Sequence, residues 1–106
     1  MSIPVSEEEL EATLAGYPWG YLVSIGADGS AHMVALPTRW VDGALLAEVG
    51  RRTRANVAQR PDVTWAFPGA DGTVYSLIVD GVAELVGDVI RVLPRTAVLH
   101  RPALRD

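Results

Sequence analysis

The residues with the most potential for chemistry form one short segment in the middle of the chain, residues 50–56. The segment holds Arg51, Arg52 and Arg54, and it contains no acidic residue that would neutralise them. Thr53 adds a hydroxyl at the point where a helix is predicted to begin. Helix amides, the helix dipole, a hydroxyl and guanidinium groups are together what a phosphate group requires. The alternative is a solvated helix start whose arginines face water.

Other reactive residue types are scattered along the chain. His32 falls in a predicted strand and His100 lies near the C-terminus, so the two histidines are not spaced as ligands of one metal ion. The chain has no cysteine, which excludes disulfides, thiolate metal sites and cysteine nucleophiles. The sequence therefore predicts no catalytic and no metal-ligating residue. If the protein is an enzyme, a bound cofactor has to supply the chemistry.

Length and composition indicate a small globular protein. The 106 residues predict a single domain, 1–106, and a hydrophobic content of 49% is enough for a buried core. So short a chain leaves apolar surface uncovered, which favours a homodimer. The net charge of −4 argues against a nucleic-acid partner. The sequence shows neither a membrane-spanning run nor a signal peptide, so a cytoplasmic location without a membrane partner is expected.

Hydrophobic periodicity predicts two short helices among six strands. The first helix starts at a capping box formed by Ser6 and Glu9. The second is predicted from Thr53, as its cap, to Arg60, where a proline follows. The six strands are predicted at residues 19–25, 30–41, 44–49, 63–67, 73–86 and 89–99. The tail from residue 100 to residue 106 is predicted to be loose.

Turn-forming pairs separate most of these strands. Asp28-Gly29, Asp42-Gly43 and Gly87-Asp88 are hairpin signals, and they imply a mostly antiparallel sheet. Pro37 predicts a bulge or a sheet edge, and Gly81 predicts a kink or bulge in the fifth strand. Closing such a sheet into a barrel removes its edges, which favours a barrel.

The three tryptophans of the chain all fall in predicted strands. For Trp19 and Trp65, packing in the core is the default interpretation. Trp40 is the best candidate for stacking on a flat ligand, because its strand leads toward the arginine segment.

Taken in order, these segments resemble the pyridoxamine 5′-phosphate oxidase-like split-barrel family, whose members include flavin and deazaflavin oxidoreductases. The matching stretches are residues 20–34, 40–43, 51–63, 75–81 and 94–102. No single motif among them is unique to the family, but their order and spacing extend over nearly the whole chain from about residue 7.

The resemblance implies a mainly β fold, a six-stranded antiparallel split β-barrel with two short helices that forms a homodimer. It also implies FMN, or alternatively F420, bound in clefts between the two barrels, with hydride transfer to a small-molecule substrate. The cofactor-binding residues that it implies are His32, Met33, Val34, Ala35, Leu36, Pro37, Ala47, Glu48, Arg51, Arg52 and Thr53.

The chain departs from the family pattern at two places. Arg51-Arg52-Thr53 stands where relatives usually carry Ser-Arg-Lys, and a guanidinium does not reproduce the point charge of the missing lysine. Many relatives insert a helix between the last two strands, where this chain has only the Gly87-Asp88 turn. A non-catalytic cofactor-binding protein or a degenerate family member is therefore the alternative.

Overall fold

One antiparallel sheet organises the fold in the computed structural model, which describes residues 2–70 and 73–103. The strands in these residues are β1 (Ser2–Pro4), β2 (Trp19–Ile25), β3 (Ala31–Pro37), β4 (Trp40–Val41), β5 (Ala44–Glu48), β6 (Asp62–Phe67), β7 (Ser76–Val86) and β8 (Val89–His100). The helices are α1 (Glu7–Leu14) and α2 (Arg51–Gln59). The prediction of a mainly β protein with two short helices is confirmed.

The strands follow the order β3-β2-β6-β7-β8-β5-β4, and β1 pairs with the far part of β8. Every pairing in the described residues is antiparallel, as the hairpin signals predict. The sheet curls into a half-barrel whose two ends are β3 and β4. Pro37 closes β3 at one of these edges, as predicted, because a proline there need not donate to a neighbouring strand.

The predicted number of six strands is wrong for two reasons. β1 has only three residues, too few to show a period in the sequence. The predicted strand 30–41 is divided into β3 and β4, because the amide of Thr38 donates to the carbonyl of Pro18 at 2.9 Å instead of continuing the ladder. The predicted loose tail also begins one residue too early. His100 belongs to β8 and pairs with Ser2 and Ser76, and residues 104–106 lie outside the described part of the chain.

The predicted hairpin turns are confirmed by the backbone. Gly29, Gly43 and Gly87 have φ angles of 83°, 81° and 66°, a region that favours glycine. Asp42 precedes one of them with a φ of 50°, so both central residues of that turn have positive φ. This is the arrangement of a tight hairpin turn whose twist matches that of its strands.

The kink predicted at Gly81 is a β-bulge shared with β8. Asp80 pairs with Thr96, but Gly81 pairs with Pro94, so Arg95 is an extra residue in β8 without a partner on β7. A Cβ on Gly81 would lie 2.5 Å from the carbonyl oxygen of Leu93, closer than real Cβ contacts come. Glycine therefore allows the two strands to approach and bend at this point.

The concave side of the sheet holds the hydrophobic core. Trp65 and Phe67 are both fully buried and stack with their ring centroids 5.5 Å apart. Leu10 and Leu14 of α1 add to the same core, as their spacing predicts. The core position expected for Trp19 is wrong, because its side chain is 41% exposed. It lies on the opposite face of β2 from the buried residues of that strand.

Both helix starts follow from short-range chemistry. The carboxylate of Glu9 accepts hydrogen bonds from the Ser6 amide at 3.1 Å and from the Ser6 hydroxyl at 2.8 Å, as expected of the glutamate in a capping box. The predicted start of α2 is wrong: Gly50 is its N-cap, and Thr53 lies within the first turn. The helix ends before Pro61, as predicted, because a proline disfavours the helical conformation of the residue before it.

The bulge gives a test of the fold. We expect Gly81→Ala to lower the free energy of unfolding by about 1–3 kcal/mol, because the new methyl group would press on a backbone carbonyl that cannot rotate away. Gly16→Ala is the matched control, since its Cβ would meet the Thr13 carbonyl at an ordinary 3.6 Å. Urea unfolding of the two variants measures the difference, and equal stabilities would contradict the assigned bulge.

Candidate functional site

The arginine segment forms the start of α2. Gly50 caps the helix in an extended conformation and has no side chain to accept hydrogen bonds from the first-turn amides. The first turn contains no acidic residue. The positive end of the helix dipole and its unsatisfied amides therefore coincide with two arginines, Arg51 and Arg52.

The three predicted phosphate-binding residues of this segment and the neighbouring Arg54 have different surroundings. Arg51 and Arg52 are exposed, and within the described residues neither makes a salt bridge. Thr53 is only 2% exposed and faces the barrel. Arg54 donates from a guanidinium nitrogen to the carbonyl of Val49 at 2.6 Å, which ties the helix to the end of β5. Arg51 and Arg52 are thus the two side chains of the segment that a ligand can reach directly.

A buried hydrogen bond fixes α2 on the sheet. The side-chain amide of Asn56 donates to the Ser24 hydroxyl of β2 at 3.0 Å, and both side chains are buried. Sequence reasoning missed this pair. The spacing of Thr53, Asn56 and Val57, which are the three buried residues of α2, could have revealed the inner face of the helix. Ser24 lies opposite His32 in the β2–β3 ladder, so the bond also brings α2 close to the start of β3.

The turn between β2 and β3 lies beside the start of α2. Asp28 in this turn accepts hydrogen bonds from the Ser30 hydroxyl at 2.6 Å and from the Ser30 amide at 3.0 Å. These bonds hold the pKa of the Asp28 carboxyl below its ordinary value, and the positive charge of Arg52 adds a smaller effect in the same direction. The exposed arginines and the end of the β2–β3 hairpin therefore belong to one region.

Strand β3 carries six of the predicted cofactor-binding residues on its two faces. His32, Val34 and Leu36 are half-buried on the side of the core, whereas Met33, Ala35 and Pro37 are exposed on the other side. In the described residues β3 pairs only with β2, so its other edge presents backbone N–H and C=O groups. Such an edge can offer hydrogen bonds to a flat heterocycle, and the alternate side chains offer it apolar contacts.

The last two predicted residues lie at the end of β5. Ala47 is 7% exposed and belongs to the hydrophobic core, so its side chain is not presented to a ligand. Glu48 is exposed and follows Ala47 immediately. It stands two residues before Gly50, which places a carboxylate near the arginines at the start of α2.

The described residues, 2–70 and 73–103, contain neither a cluster of metal-ligating side chains nor a long apolar helix. No group of three or more histidine, cysteine, aspartate or glutamate side chains there could hold a metal ion. No helix there has the length and apolarity that crossing a membrane requires.

Two mycobacterial proteins are similar to this chain in sequence, although no protein-family model matches it. The chain is 36% identical over 122 aligned positions to the uncharacterized protein Mb0449c of Mycobacterium bovis. It has the same identity to the uncharacterized protein MT0457 of Mycobacterium tuberculosis. Each alignment covers 96% of this chain and 84% of the relative.

Several solved structures are similar to this chain in fold. An F420 reductase matches with a TM-score of 0.68 and 19% identity, over 80% of this chain and 93% of that one. The FAD-binding protein of Mycobacterium smegmatis matches with a TM-score of 0.67 and 22% identity, over 95% and 100%. A candidate pyridoxamine 5′-phosphate oxidase of Listeria innocua matches with a TM-score of 0.70 and 19% identity, over 88% and 96%. At these identities the likeness establishes a shared fold.

The Asp28 turn makes the electrostatics of this region testable. NMR titration of the Asp28 carboxyl should give a pKa below 3.8, its ordinary value, and Ser30→Ala should move the pKa back toward that value by removing the hydroxyl donor. Because the pKa is lower in the folded state, the turn contributes stability above about pH 4 and loses it as the pH falls through the folded pKa. An unchanged pKa in Ser30→Ala would contradict the assigned hydrogen bonds.

Proposed function

Because this chain belongs to one family with the two mycobacterial proteins, and its fold is the pyridoxamine 5′-phosphate oxidase-like split barrel, we propose that it is a flavin- or deazaflavin-dependent oxidoreductase. It binds FMN, or alternatively F420, at the interface of a homodimer, and it acts on a small-molecule acceptor. A bound flavin or deazaflavin supplies hydride transfer. The protein supplies binding, orientation and the exclusion of water.

The start of α2 is the observation that carries the proposal. Its first-turn amides have no capping side chain, and Arg51 and Arg52 are exposed beside them on a chain whose net charge is −4. A phosphate group satisfies all of these groups at once, because it accepts from amides and guanidinium donors and is attracted by the helix dipole. The residues present therefore fit the phosphate end of FMN or F420.

The ring system of the cofactor would lie along β3. The unpaired backbone edge of this strand can hydrogen-bond the polar rim of a heterocycle, and the half-buried Val34 and Leu36 offer apolar contact. Trp40, also half-buried against the core, is the aromatic side chain best placed to stack on a flat ring. These side chains would exclude water from the ring and hold it in one orientation.

A row of apolar side chains on the outer face of the sheet supports the homodimer. Ala35, Tyr21, Ala66, Ile78 and Val98 are consecutive partners across β3, β2, β6, β7 and β8, and none of them is buried. Trp19, 41% exposed, and Met33, 59% exposed, flank this row. A second copy of the chain would cover the face by an isologous contact that also encloses the cofactor at the β3 edge.

The alternative function is a protein of the same fold that binds a cofactor without catalysis, or has lost binding. The burial of Thr53 favours it, because that hydroxyl stands where relatives usually present a lysine and a ligand cannot reach it directly. The phosphate contacts would then rest on the two arginines and the helix amides alone.

The cofactor site is tested by charge reversal at the start of α2. We expect the double substitution Arg51→Glu with Arg52→Glu to weaken FMN or F420 binding by at least about a hundredfold, because it replaces two charge-assisted contacts with repulsion. Arg60→Glu, at the opposite end of the same helix, is the control and should bind normally. Fluorescence titration with each cofactor measures the affinities and also decides between FMN and F420. Unchanged binding by the double variant would place the site elsewhere.

The homodimer is tested on the outer face. Met33→Glu should dissociate the dimer, because it places a carboxylate beside the apolar row of the proposed interface. Val86→Glu is the matched control, since Val86 is equally exposed at 60% but lies at the tip of the β7–β8 hairpin. Sedimentation velocity reports the mass of each variant. A wild-type monomer, or an intact Met33→Glu dimer, would contradict the proposed interface.

A further inference from the structure

A concave region lies on the outer face of the sheet, apart from the start of α2. It is a groove of about 430 Å³ beside the β-bulge, in the size range of small-molecule sites. Its apolar wall contains the half-buried side chains of Val23 and Ile25. None of the eleven predicted cofactor-binding residues lines it, so the proposed cofactor site does not account for this groove.

One apolar and three polar side chains of the groove form a row across neighbouring strands. Val23 pairs with Thr64, Thr64 with Asp80, and Asp80 with Thr96, so the four side chains share one face of β2, β6, β7 and β8. Arg95, the extra residue of the bulge, adds a guanidinium next to Thr96. A bulge commonly re-aims a side chain in this way next to a binding site.

The charges of the groove do not cancel. Its ionisable lining residues are the carboxylates of Asp62 and Asp80 and the guanidinium of Arg95, which leaves one negative charge in excess. A guanidinium nitrogen of Arg95 lies 3.0 Å from a carboxylate oxygen of Asp62, so these two residues neutralise each other. Asp80 makes no salt bridge within the described residues and carries the excess charge.

The Asp80 carboxylate is also held in position. The Thr64 hydroxyl donates a hydrogen bond to one of its oxygens from the neighbouring strand. Asp80 lines the groove and is exposed, and its carboxylate can accept further hydrogen bonds from a ligand donor. A fixed carboxylate beside an apolar wall has the two features that an organic cation requires.

We propose that this groove binds a small organic cation, an amine with an apolar body, through the carboxylate of Asp80. The ammonium group donates to Asp80, and the apolar body lies against Val23 and Ile25. The Asp62–Arg95 pair forms the polar rim and prevents Arg95 from neutralising Asp80. The site does not depend on flavin binding, since it shares no residue with the start of α2 or with β3.

The test uses the full-length protein without added cofactor and 2-phenylethylamine as the probe. Isothermal titration and ¹H–¹⁵N NMR measure its affinity, with phenylacetate as an anion of similar size. We expect the amine to bind and to shift the amide signals of residues around Asp80, and phenylacetate not to bind. Asp80→Asn should weaken the amine about tenfold or more, because it removes a charge-assisted hydrogen bond.

Two further variants separate the role of Asp80 from a general effect of charge. Asp88→Asn removes the same charge from the β7–β8 turn and should leave amine binding unchanged. Arg95→Gln should tighten binding, because it leaves two uncompensated carboxylates in the groove. This variant keeps the proposal testable even if Asp80→Asn does not fold.

Three outcomes would overturn the proposal. One is a preference for phenylacetate, which would make Arg95 the recognition group. Another is amine binding that Asp80→Asn does not change. The third is the absence of amine binding to the wild type at millimolar concentration. Groove signals that shift on dilution would then indicate that a side chain of a second copy fills the groove.

Discussion

The curvature of this protein depends on one extra residue in its longest strand pair. Arg95 has no partner on β7, and the strands bend where Gly81 packs on the backbone of β8 opposite Pro94. The bend lets one continuous sheet enclose a core on its concave side. It also turns Arg95 and Thr96 together toward the convex side, where they border the groove. Curvature and the chemistry of the outer face thus have a common origin.

The two faces of the sheet differ in chemical character, because successive side chains of a strand point to opposite faces. The inner face is hydrophobic and is completed by α1 and α2. The outer face changes from an apolar row through Tyr21 and Ile78 to a polar row through Thr64 and Asp80, two residues away along each strand. An apolar row of this width favours contact with a second protein surface, whereas a concave polar row favours a small ligand. Because the rows are adjacent, a partner copy that covers the first would border the second.

The sequence predicts the parts of this structure that are governed by local chemistry. The glycine turns, the bulge at Gly81 and the end of α2 before Pro61 each depend on a residue whose backbone options are narrow. The break at Thr38 could not be predicted, because it depends on a hydrogen bond to a distant carbonyl. The same limit applies to the site. The arginines identify the segment in which α2 starts, although its exact start at Gly50 was not predicted. The burial of Thr53 and the role of Asn56 follow from how the helix docks on β2.

The glycine cap of α2 links ligand occupancy to the stability of the protein. A helix whose first turn has no capping side chain is less stable at that end than one capped by serine or aspartate. An anion bound there would supply the acceptor that Gly50 lacks, so the ligand would complete the secondary structure as well as fill a site. Its binding would then raise the unfolding free energy by RT ln(1 + [L]/Kd). The protein would be most resistant to unfolding and proteolysis when its cofactor is plentiful.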